Sequence, residues 1–163
     1  MERITSRKKF NKVILDATYK AQEKYGFKIG IGEHATWNNE ADAFKHAYMS
    51  WLLSYKYGGD SVSEQLGNMH EDETPNSPPG ERNMDLWNNA MGREIAYDMK
   101  RELGEDYDLL GDDWASDYAS GEIYKKMQNG ELIYVENYER SDGTKVHGYY
   151  RRRPYFSSKK SSK

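Results

Sequence analysis

Apolar positions recur at helical spacing over most of this chain. In residues 6–25, Phe10, Val13, Ile14, Ala17, Ala21 and Tyr25 fall three or four apart, which predicts an amphipathic helix closed by Gly26. Residues 40–57 carry Phe44, Ala47, Tyr48, Trp51, Leu52 and Tyr55 on one face and Asp42, His46, Met49 and Leu53 on the other. A helix that is apolar on one side and half-apolar on the other is covered by neighbours on both sides. Asp42 and His46 are therefore expected to be buried, and a buried carboxylate and imidazole need partners.

Beyond Gly58-Gly59, Asp60 or Ser61 can cap a short helix running to about residue 71. Residues 72–80 hold three of the four prolines and read as a loop. A long helix follows over 81–103, with Met84, Asn88, Met91, Gly92, Ile95 and Met99 on one stripe. Asn88 falls inside that apolar stripe, and Gly92 lets another backbone approach. A last helix is predicted over 112–128, interrupted at Gly121. The pattern then turns strand-like over 132–138 and 145–151, and Asp142-Gly143 between them suits a tight hairpin turn. The predicted fold class is mainly α: a compact bundle of four to five helices, a small C-terminal β-hairpin and a disordered basic tail. The corresponding domains are a helical domain with a polar site over 1–130, an accessory hairpin module over 131–156, and a tail over 157–163.

Composition narrows the function classes. The 163 residues suit one domain, and with 36% hydrophobic content the core must be economical, built largely on aromatics (14 Tyr, 4 Trp, 4 Phe). There is no cysteine, so any metal must be held by histidine and oxygen ligands. The first residues carry no apolar run long enough for a signal peptide, and no stretch suits a membrane span. The expected location is cytoplasmic, or exported without an N-terminal signal peptide. The net charge of −3 is uneven: residues 139–163 hold eight Lys or Arg against two acids, so this arm carries +6 and residues 1–138 carry −9. This balance argues against a globally basic nucleic-acid binder. The arm is either a solubilising tail or a contact for phosphate, anionic lipid or an acidic partner.

The candidate chemistry lies in three short segments. Asp42 and His46 stand four apart, on one helix face and within reach of each other or of a shared ion. His70-Glu71 ends the short helix, and Asp85, Asn88 and Asn89 open the long one, where the helix dipole favours the Asp85 carboxylate. Asp42, His46, His70, Glu71 and Asp85 form a ligand set suited to one divalent ion: zinc, manganese, magnesium or calcium. Such an ion acidifies water for hydrolysis, with Glu71 or Asp85 as general base. A metal-free reading makes His46 the general base oriented by Asp42, with Asn88 and Asn89 polarising a substrate oxygen. The plain structural alternative is a satisfied hydrogen-bond network that fixes helix packing. His34 and His147 read as loop and hairpin residues. Ser50, inside a helix, makes a poor nucleophile.

Asp42-Ala43-Phe44-Lys45-His46-Ala47-Tyr48, then His70-Glu71, then Met84-Asp85-Leu86-Trp87-Asn88-Asn89-Ala90-Met91-Gly92-Arg93 stand in this order. Together they resemble an uncharacterised bacterial and phage domain family, found alone and at the C-termini of polymorphic-toxin-type proteins. The hairpin, with Tyr138, Arg140, Asp142-Gly143-Thr144 and Val146, is similar to an accessory module appended to many bacterial proteins. The resemblance implies an effector- or toxin-type role, with an immunity or host protein as partner. Combined with the site residues, it leads to the expectation of an effector-type hydrolase, either divalent-metal-dependent or metal-free, on an unidentified substrate. The competing expectation is a non-enzymatic interaction protein, for example a phage-encoded inhibitor or a structural protein, in which the cluster only locks the fold.

Overall fold

The structure, a computed structural model, describes residues 7–27, 40–56, 79–104, 111–134, 138–139, 142–143, 145–146 and 151–152. These residues form four helices, α1 (Arg7–Lys24), α2 (Glu40–Lys56), α3 (Pro79–Leu103) and α4 (Asp112–Gln128), and four two-residue strands. The fold is mainly α, as the periodicity predicts. The expected short helix before residue 71 and the expected disordered tail lie outside the described residues. No helix among the described residues is long and apolar enough to cross a membrane.

Local chemistry sets the helix limits. Pro79 opens α3 two residues before the expected start at Glu81; a first helical turn loses nothing from a missing N–H. Helices α1 and α4 both close on a glycine with positive φ, Gly26 (74°) and Gly130 (74°). Phe27 N–H donates to the Gln22 carbonyl and Gly26 N–H to that of Glu23; Glu131 and Gly130 repeat this pairing on Lys126 and Met127. Each pair closes a helix end in the left-handed geometry that glycine adopts without a Cβ clash. The expected break at Gly121 does not occur, and α4 runs straight through it. A Cβ there would meet only the Tyr25 hydroxyl, 3.6 Å away. A lone glycine costs a helix about 1 kcal/mol, too little to stop one that buries Ala115, Ala119, Ile123 and Met127.

Helix α2 is the axis of the core. Phe44, Ala47, Tyr48 and Trp51 are buried on one side, and Asp42, His46, Ser50 and Leu53 on the other. Phe44 meets Tyr25 and Phe27 at ring separations of 5.7 and 5.2 Å, and Tyr25 stacks on Tyr124 of α4 at 4.7 Å. Full burial of a ring of this size stabilises by roughly 1.5–3 kcal/mol. The indole N–H of Trp51 donates to the Met99 sulfur of α3 at 3.2 Å.

Helices α2 and α3 run in the same direction. His46 faces Asp85 and Asn89, Trp51 faces Gly92 and Met99, and Lys100 donates to the Ser54 carbonyl. Both N-termini therefore lie at one end of the bundle.

The chain leaves α4 through Leu132 and Tyr134, both buried in the helical core. Strand β1 (Ile133–Tyr134) pairs antiparallel with β4 (Arg151–Arg152), and β2 (Tyr138–Glu139) with β3 (Lys145–Val146). Nested antiparallel ladders are what a hairpin produces, and Gly143 takes φ 84° in the turn between β2 and β3.

Candidate functional site

The shared N-terminal end of α2 and α3 gathers four of the expected site residues. Asp42 lies in the first turn of α2 and His46 one turn further on; Asp85 lies in the second turn of α3 and Asn89 one turn beyond. Residues four apart on a helix share a face, so each helix presents a vertical pair. Asp42 Oδ1 is 3.9 Å from His46 Nε2, and Asp85 Oδ1 is 3.3 Å from the same nitrogen. One ligand atom each from Asp42, His46 and Asp85 lies within 4.8 Å of the others. Asp42, in the first turn of α2, lies at the positive end of that helix's dipole.

The far side of the imidazole fixes its state. His46 Nδ1 is 3.3 Å from Asn89 Oδ1, a carboxamide oxygen that only accepts hydrogen bonds. The tautomer that suits this contact is protonated at Nδ1, and Nε2 is the nitrogen turned toward the two carboxylates. A lone pair facing two anionic oxygens is repulsive unless positive charge comes between them. A second ring proton or a metal ion supplies it. Lys45 brings a further cation to the edge of the cluster, with Nζ 2.5 Å from Asp42 Oδ1. The side chains of His46 and Asp85 keep 10% and 14% exposure, so the cluster is reached from solvent at its rim.

The other expected residues are placed differently. Asn88 is fully buried, and its amide is turned to the backbone of β1. Its Nδ2 donates to the Ile133 carbonyl at 2.7 Å and its Oδ1 accepts from the Ile133 N–H at 2.9 Å. Beside it, the Trp87 indole N–H donates to the Glu131 carbonyl at 2.8 Å. His70 and Glu71 lie outside the described residues. Lys45 was not among the expected site residues, although its place three after Asp42 on one helix carried the signal.

A groove also lies elsewhere in the bundle. It has a volume of about 400 Å³ between α1, α2 and α4, and Tyr48, Trp51 and Tyr55 line it. Its rim is closed by the ion pairs Lys24–Asp117 at 2.7 Å and Lys56–Asp112 at 3.0 Å. Hydrogen bonding to Asp117 pushes the Lys24 ammonium above its usual range. These charges are paired and exposed, whereas the Asp42–His46–Asp85 group is nearly buried around one point. The chemistry therefore centres on the latter.

Residues 3–130 match the model of a protein family described as a domain of unknown function, DUF6973. No curated protein and no solved structure matches the chain.

Proposed function

The chain belongs to the DUF6973 family, and on that premise we propose that it is a divalent-metal-dependent hydrolase of effector type whose centre is Asp42, His46 and Asp85. One observation carries the reading: Nε2 of an imidazole held by Asn89 points at two carboxylates whose oxygens lie within 4.8 Å of it and of each other. Ligands about 2.1 Å from a common ion stand roughly 3.0–3.4 Å apart at tetrahedral or octahedral angles. The His46–Asp85 pair at 3.3 Å already matches this, and Asp42 needs only a small side-chain movement.

One nitrogen and two carboxylate oxygens favour zinc or manganese over magnesium or calcium, because imidazole is a borderline-soft donor. Three protein ligands leave a coordination position for water or substrate, the pattern of catalytic rather than structural sites. A divalent ion held there acidifies water and polarises a substrate oxygen. The chain's own contributions are then distinct. Asn89 holds the ring in the tautomer that leaves Nε2 available, the second oxygen of Asp85 can take a proton, and Lys45 orients Asp42. The effector assignment rests on the sequence resemblance, and the substrate is an outcome of screening.

A second reading is favoured by the Lys45–Asp42 contact, which supplies a cation without any ion. In that reading the cluster is a structural network and the protein acts by binding a partner.

Metal content and calorimetric titration with Zn²⁺ and Mn²⁺ separate the two. The hydrolase reading expects one ion per chain, lost in His46→Ala and Asp85→Asn while circular dichroism stays native, together with ester or phosphodiester cleavage that chelator abolishes. Absence of any ion, with both variants unfolding, would leave the structural network in its place.

A further inference from the structure

Helices α3 and α4 enclose a second, smaller cleft of about 180 Å³ that runs from Glu131, where the hairpin begins, to Tyr118 and Glu102. Four carboxylates line it, Asp98, Glu102, Glu122 and Glu131, against the two ammonium groups of Lys125 and Lys126; Asp98 is also paired with Arg101 at 3.1 Å, so one negative charge is left unmatched. Lys125 is taken by Glu122 at 2.9 Å, and Lys126 by Glu131 at 3.4 Å. Glu102 has no ion-pair partner among the described residues. The Tyr118 ring forms one wall, 36% exposed and stacked on the half-exposed Trp114 at 5.4 Å. Carboxylates beside an exposed aromatic face make a receptor for a cationic side chain, which gains from both the charge and the ring.

Strand register says which cation arrives there. Tyr134 pairs with Arg151 and Ile133 with Arg152 in antiparallel sense. The chain therefore leaves β4 travelling back along β1 toward Glu131, a lining residue of the cleft. The residues that follow, 153–163, lie outside the described residues and contain Arg153, Lys159, Lys160 and Lys163 with no acid. Eleven residues span up to about 36 Å when extended. Tyr118 lies thirteen residues before Glu131, a separation of roughly 20 Å at helical rise. The arm reaches the whole cleft.

We propose that the acidic, tyrosine-walled cleft between α3 and α4 is the docking surface for the chain's own basic C-terminal segment, residues 153–163, delivered to it by the β1–β4 pairing. The observations behind it are the unmatched carboxylate of Glu102, the part-exposed edge of the cleft at Tyr118 and the direction of β4. Docking ties the hairpin to the helical body through residues other than Asp42, His46 and Asp85, so it holds whether or not that cluster binds metal.

The absence of cysteine allows a clean test on the full chain. A nitroxide attached at Ser162→Cys should broaden the backbone amide signals of Asp98, Glu102, Tyr118 and Glu122 at low salt, independently of protein concentration. The broadening should fade at 1 M salt, where the screening length falls to about 3 Å. It should also be lost in Lys159→Glu/Lys160→Glu, a change confined to the arm that leaves the core intact. Adding Glu102→Lys to that variant should restore part of it. Broadening seen only when labelled chains are mixed with separately isotope-enriched chains would assign the cleft to a second copy and overturn the intramolecular contact. Broadening elsewhere, or none at low salt, would overturn the proposal outright.

Discussion

A Cβ on Gly92 would fall inside the van der Waals envelope of the Ala47 carbonyl oxygen and only 2.9 Å from the backbone nitrogen of Trp51. Glycine at this one position lets α2 and α3 run backbone to backbone, with Ala43, Ala47 and Ala96 buried around it. That approach also sets how far His46 stands from Asp85, because His46 directly precedes Ala47 and Asp85 lies two turns before Gly92 on α3. Propensity alone predicts that Gly92→Ala stabilises an α-helix by about 1 kcal/mol. The packing predicts the opposite sign. Overpacking against rigid backbone should cost about 3 kcal/mol or more, because no flexible side chain can yield. Urea denaturation of Gly92→Ala beside Gly121→Ala, whose Cβ meets only a tyrosine hydroxyl, should show a large loss in the first and little change or a gain in the second.

Asn88 acts as one rung of a β-ladder inserted from a helix. Both halves of its amide are occupied by the Ile133 backbone, 45 residues away. Replacing it with Leu keeps the volume but leaves a buried N–H and a buried C=O unpaired, at about 2–4 kcal/mol together. Amide exchange at Ile133 should accelerate alongside the fall in stability. A variant that keeps its stability and slow Ile133 exchange but loses activity would instead place Asn88 in the chemistry.

The sequence carries the helices of this fold because each buries a continuous apolar stripe at helical spacing, as Phe44, Ala47, Tyr48 and Trp51 do. It also carries the candidate chemistry on each helix separately, since Asp42 and His46 on α2 and Asp85 and Asn89 on α3 are vertical pairs. What it does not carry is the direction of one helix relative to the other. Had α3 run antiparallel to α2, Asp85 would lie at the opposite end from Asp42. The clamp of Asn88 on Ile133 is equally illegible, because an asparagine in an apolar stripe announces only that it has a partner. Gly121 misleads in the other direction, since its cost as a helix breaker is local and small while the burial of its neighbours is shared along the whole helix.

Asn89 is the residue through which the proposed metal centre can be tuned without removing a ligand. Its carboxamide oxygen lies 3.3 Å from His46 Nδ1, a contact that suits the tautomer protonated there. Asn89→Leu should weaken binding of Zn²⁺ or Mn²⁺ by about 10–100-fold at unchanged stoichiometry, the usual effect of losing a partner behind a histidine ligand. Asn89→Asp keeps an acceptor at the same place and should preserve affinity or raise it. Equal weakening in both variants would show that the asparagine packs rather than orients. Competition titration against a chelating dye reads the difference.

The buried phenol of Tyr48 gives the fold an alkaline limit. Its hydroxyl lies 2.7 Å from Ser116 Oγ, bridging α2 and α4. Burial, only partly opposed by the Ser116 hydrogen bond, raises its pKa above the usual value of 10.0. The unfolded chain therefore releases this proton first as pH rises. Between pH 10 and the raised native value the unfolded state binds fewer protons, so stability falls with increasing pH. Below pH 10 the contribution is complete. Tyr48→Phe gives up one hydrogen bond, about 1 kcal/mol, and should be less stable than the wild type at pH 8. Because it cannot ionise, its stability should decline less steeply above pH 10, and the gap between the two proteins should narrow. Urea midpoints from pH 8 to 11 measure this directly. Parallel decline of both proteins would assign the alkaline limit to other groups, such as Tyr118, whose pKa is also raised by burial.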